Sequence, residues 1–202
     1  MIIFGVQDEG NTPRMSHTFA TFVKASGKGD DKSDYKLEQH TISWMPKTRE
    51  LVIARRFPEP AENLGLRESL RLASSRGEQV AMWGPFEIKK ELYERALKQI
   101  DRLEKGEVQY KAIDARFRPA AATNCIHAVA DIDSDNGYLG VGTAHGAEAS
   151  RMVVDHLSRW IIKPDLTHEW VGKRLGLDDE KLIRKESSTG RGATGSSPAP
   201  RP

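Results

Sequence analysis

The chain has 202 residues and is 38% hydrophobic and 30% charged, enough apolar content for one buried core beneath a polar surface. Lys and Arg total 31 against 29 Asp and Glu, and a net charge of +2 gives no basis for a nucleic-acid or membrane-surface partner. One cysteine cannot form an internal disulfide, and no apolar run suits a transmembrane segment, so the expected setting is cytoplasmic.

Ile2–Val6 reads as a short buried strand, broken by Gly10-Asn11-Thr12-Pro13. His17–Val23 alternates with β-formers on both faces, which predicts a central strand. Leu37–Trp44 and Leu51–Ala54 are the next strand candidates, and with His17–Val23 they suggest an antiparallel meander. Leu66–Ser75 has apolar residues at helical spacing, and Gln79–Trp83 is a short extended run. Phe86–Leu103 is the clearest helix, with Leu92, Ala96, Ile100 and Leu103 on one stripe and Gly106 beyond its end. Val108–Ile113 is strand-like, Thr123–Val129 looks like a helix start, and Ala147–Ile162 is a second strong helix. Leu166–Leu175 is a last short helix. Residues 1–186 thus make one domain of α+β class, a small antiparallel sheet with packed helices. From Ser187 to Pro202 the composition is Ser, Gly, Thr, Ala, Pro and Arg, and a disordered tail is expected.

Cys125 stands in Thr123-Asn124-Cys125-Ile126-His127, where Thr123 or Asn124 can cap a helix. The sulfur then lies in the first helical turn, where unpaired N–H groups favour a thiolate and can hold an oxyanion. A small buried hydrophobe is the competing reading of a lone cysteine. A cysteine nucleophile needs an imidazole. His17 opens one strand and His40 sits in the next. One parity of hairpin register would put both rings on one face. His127 is two residues from Cys125 and, on a helix, diverges from it by about 200°. His145 is the rival base, while His156 and His168 read as ordinary helix residues. No histidine pair has metal-ligand spacing.

Ser16-His17-Thr18-Phe19 opening a strand, a polar residue on the following strand, and Asn124-Cys125-x-His127 much later resemble the circularly permuted NlpC-like papain-fold superfamily. That superfamily includes lecithin:retinol acyltransferase-like proteins and bacterial permuted amidases. The resemblance spans roughly Pro13–Ile162 and implies a papain-like core with the histidine strand ahead of the cysteine helix. It implies Cys125 as nucleophile, His17 as base and His40 as the third, polar member, with Tyr110 matching an aromatic residue on the strand before the cysteine. Ser16 departs from the glycine of many members. The expected activity is that of a cysteine hydrolase (a thiol protease or amidase) or an acyltransferase. It would act on a peptide, lipid or other acyl substrate, and no cofactor is required. A catalytically inactive binding or scaffold protein on the same fold is the alternative, since the family includes inactive relatives.

Overall fold

The computed structural model describes residues 1–29, 31–114 and 121–186. The expected disordered tail from Ser187 lies outside the described residues. In chain order the elements are β1 (Ile2–Gln7), β2 (His17–Ser26), β3 (Lys36–Ile42), β4 (Trp44–Pro46), β5 (Ala61–Asn63), α1 (Leu66–Ser75), β6 (Gln79–Trp83) and α2 (Lys90–Glu104). There follow β7 (Gln109–Tyr110), β8 (Ala122–Thr123), α3 (Cys125–Ala130), α4 (Gly146–His156), α5 (Glu169–Arg174) and β9 (Leu182–Lys185). The class is α+β.

Five strands form the main sheet in the order β3-β2-β1-β6-β9. The first four pair antiparallel, and β9 runs parallel to β6, so the sheet is mixed rather than wholly antiparallel. Its centre is β1, because Ile2, Ile3 and Phe4 are apolar on both faces and a strand covered on both faces needs no polar alternation. One face carries Ile2, Phe4, Val6, Phe19, Val80 and Met82 against Leu66, Leu70 and Ala73 of α1 and against Leu177. The other carries Ile3, Ala20, Phe22 and Trp83 against the stripe Leu92, Ala96, Ile100 and Leu103 of α2 and against residues of α3 and α4.

The meander is built from β1, β2 and β3. Leu51–Ala54 is not a strand: only Leu51 of that run packs into the core, and Val52 is exposed. The second long helix starts at Lys90 rather than Phe86, because Phe86 and Ile88 are drawn into isolated bridges with Thr167 and Ile161. The Ala147 helix ends at His156 and continues only as a 3-10 turn over Ser158–Trp160.

Contact between α4 and β1 depends on Gly5. A Cβ there would lie 2.7 Å from Ser150 Oγ and 2.9 Å from the Ala147 Cα. Backbone on one side leaves little room to yield, so Gly5→Val should destabilise by about 1–3 kcal/mol, the usual range for overpacking. Chemical denaturation of the variant measures this, and an unchanged midpoint would show that α4 shifts freely.

Candidate functional site

Asn124 sets the position of Cys125. Its side chain accepts from the His127 N–H at 2.8 Å and caps α3, while its own N–H donates to Asp114 at 3.1 Å. Asp114 is 2% exposed and also accepts from His127 Nδ1 at 2.8 Å. His127 Nε2 lies 2.9 Å from the Leu139 carbonyl, which can only accept, so this nitrogen donates while Nδ1 meets the Asp114 carboxyl. Tyr138 covers the ring, with centroids 4.8 Å apart. His127 is therefore turned away from the thiol, and with Asp114 it fixes the start of α3.

Cys125 is 5% exposed. Its sulfur lies within hydrogen-bonding range of the Thr18 backbone N–H, the Tyr110 hydroxyl and the first N–H groups of α3. Thr18 lies beyond the last β2–β3 pair, Ala20 with Ile42, so β3 does not cover it. Burial pushes the thiol up, and the donors from Thr18, Tyr110 and Ile126 only partly offset this. A lowered thiol is expected from a helix start. Here the helix is only six residues long and the site is buried, so desolvation wins.

His17 immediately precedes Thr18, but its ring lies on the α1 face of the sheet, stacked at 5.7 Å on Phe19. Its Nε2 is 2.8 Å from Ser43 Oγ, which in turn accepts from Ser69 Oγ at 2.8 Å. Its Nδ1 is buried with no hydrogen-bond partner among the described residues. Burial first, and the Arg76 charge second, lower this imidazole to about 3, so it is a neutral ring. A cavity of about 10 Å³, room for one water, lies among His17, Ser69, Arg76 and Glu78.

His40 is not beside His17. In register it pairs with Phe22, which puts it on the opposite face of the sheet and five residues along β2. It contacts Glu38 at 3.0 Å and the edge of Tyr93 instead. The polar residue that meets His17 is Ser43, a lone hydroxyl in the apolar run Ile42-Ser43-Trp44-Met45, and that break in the run is its sequence signal. Nothing local marks Asp114, which stands ten residues before Asn124 in the sequence and meets its N–H at 3.1 Å. His145, the rival base, is engaged by the carbonyls of Thr143 at 2.7 Å and Asn11 at 2.5 Å.

Glu78 gives this region a pH signature. Its side chain is 4% exposed, and burial pushes the carboxyl up to about 7, against the pull of Arg76 at 3.9 Å. The folded state therefore favours the protonated acid over the unfolded chain, whose value is near 4.5. That contribution is complete below pH 4.5 and is lost as pH rises towards 7. Glu78→Gln, which cannot ionise, should raise the melting temperature at pH 8 relative to wild type by more than at pH 4. An equal difference at both pH values would remove Glu78 as the cause.

Comparison of the chain with family models, with curated proteins and with solved structures found no match.

Proposed function

We propose that the protein is a thiol-dependent hydrolase or acyltransferase of papain-like, circularly permuted design, with Cys125 as nucleophile, His17 as base and Ser43 as the group that orients the base. The observation that carries this reading is the state of His17. Its Nε2 is held by Ser43, and its Nδ1 is buried and unpartnered on the residue preceding the one whose N–H meets the Cys125 sulfur. A base held by a third group through one nitrogen, with the other free, is the arrangement a nucleophile–base pair requires.

In the reaction Cys125 transfers its proton to His17 Nδ1 and the sulfur bonds to the carbonyl carbon of an amide, ester or thioester. The carbonyl oxygen gains the electron pair and is met by the backbone N–H of Cys125 and the Tyr110 hydroxyl. Collapse breaks the bond to the leaving group, which takes the proton from His17. Water or an amine then attacks the thioester, and the thiol is restored. His17 and Cys125 are not hydrogen-bonded to each other at rest, and the His17 ring packs on the α1 face while Cys125 belongs to the core of the other face, so this reading requires a rearrangement around Thr18 that brings the ring to the sulfur.

Incubation with p-nitrophenyl acetate followed by intact-mass measurement tests the reading. The expected result is a single acetyl adduct on Cys125, absent from Cys125→Ala. Adducts of equal yield on the variant would end it. The low exposure of Cys125 and the raised thiol favour a second reading, a binding protein that retains the scaffold without turnover. No adduct at any pH would support that one.

A further inference from the structure

A cavity of about 620 Å³ lies at the opposite end of β2 from Thr18, between Val23–Ala25, the segment Pro85–Ile88, α2 and α5. Five to seven residues of strand separate it from Thr18, roughly 17–23 Å, so it is separate from the thiol. We propose that this cavity binds an apolar carboxylate of about drug size.

The volume falls within the range of small-molecule sites. Val23, Phe86, Ile88, Leu97 and Val171 give the walls their apolar character. On residues of the same walls two polar atoms, Tyr93 Oη and Trp170 Nε1, are buried with no hydrogen-bond partner among the described residues, while His168 Nε2 faces the Glu87 carboxylate. Native structures rarely leave such atoms unpaired. The indole N–H can only donate, and a phenol donates readily, so the absent partner is an acceptor.

Charge at the lining has the same sense. Lys90 is paired with Glu94 at 3.1 Å, and Glu87 lies 3.6 Å from His168. Lys24 and Lys32 also line the cavity, and both are exposed. Lys24 stands opposite Glu38 of β3 and interacts with its charge, and Lys32 stands over the Trp170 ring at 5.5 Å. Two exposed lysine ammonium groups beside unpaired donors and an apolar wall suit a ligand with an apolar body and one anionic acceptor group. They disfavour an amine, whose charge the lysines would repel and whose donors would find donors.

The test uses octanoate as probe and octanol as its uncharged counterpart, with tryptophan emission as the signal. Octanoate should bind saturably with Kd below about 1 mM, and octanol at least tenfold more weakly. Trp170→Phe should remove the emission change. Lys24→Glu combined with Lys32→Glu should weaken octanoate at least tenfold and leave octanol unaffected. Leu97→Trp, which fills the cavity from α2, should abolish binding of both while the melting temperature shows that the fold persists. Absence of saturable octanoate binding, equal binding of octanol, or unchanged affinity in the double lysine variant would each overturn the proposal. None of these outcomes bears on Cys125 acylation.

Discussion

Replacing Asp114 with Ala should lower the stability of the protein by about 2–6 kcal/mol, because two buried groups lose their hydrogen-bond partner at about 1–3 kcal/mol each. Asp114 and His127 are 2% and 1% exposed, so water cannot replace the carboxylate. The substitution leaves His127 Nδ1 and the Asn124 N–H without acceptors, and Thr123 Oγ1 loses a contact at 3.4 Å. In a chain of this size the melting temperature should fall by about 10 °C. Asp114→Asn keeps one acceptor but turns an amide N–H towards donors, so its loss should be smaller but clear. A change of less than 1 °C for Asp114→Ala would mean that the ring of His127 finds another acceptor and that the start of α3 is set elsewhere.

The second large effect concerns the proposed base. His17→Ala should slow acetylation of Cys125 by about 10²–10⁴-fold, the range for loss of a positioned general base. Ser43→Ala should slow it less and should also displace the pH midpoint, because Ser43 acts only through His17. A purely structural serine would change the rate without moving the midpoint. Iodoacetamide labelling of wild type should be slow at pH 6 and rise only in the alkaline range, since burial holds the thiol above its ordinary value. Wild-type rates in His17→Ala would exclude this pair.

Much of the fold is legible in the residues because it is local. Ile2–Val6 and His17–Val23 carry β-formers on both faces, and the stripe of α2 repeats at helical spacing over several turns. Phe86 is different: its helical pattern is overridden by long-range bridges to the segment before α5, which no local window contains. β9 is likewise invisible, because Leu182–Lys185 is too short and too polar to signal a strand and is one only through its pairing with β6. At the site, Asn124 and Cys125 are readable from capping chemistry alone. The choice between His40 and Ser43 depends on strand register, and the pairing of Ala20 with Ile42 decides it. A shift of one residue would move His40 to the face of His17 but leave it at least four residues away along β2.

That pairing of β9 with β6 also covers an edge of the main sheet that β6 would otherwise leave open. The sheet ends on one side in Leu182-Ile183-Arg184-Lys185 and on the other in Lys36-Leu37-Glu38-Gln39-His40, and most of these residues are exposed. Charged residues on an outermost strand discourage a second chain from adding its own strand. Arg184 is further tied to Glu169 and to Asp178, the latter at 2.6 Å, which clamps β9 against the body. Shortening the chain to end before Leu182 would strip this guard and leave Val80, Met82 and their free backbone groups as a sticky, apolar border. Such a truncated protein should form insoluble aggregates.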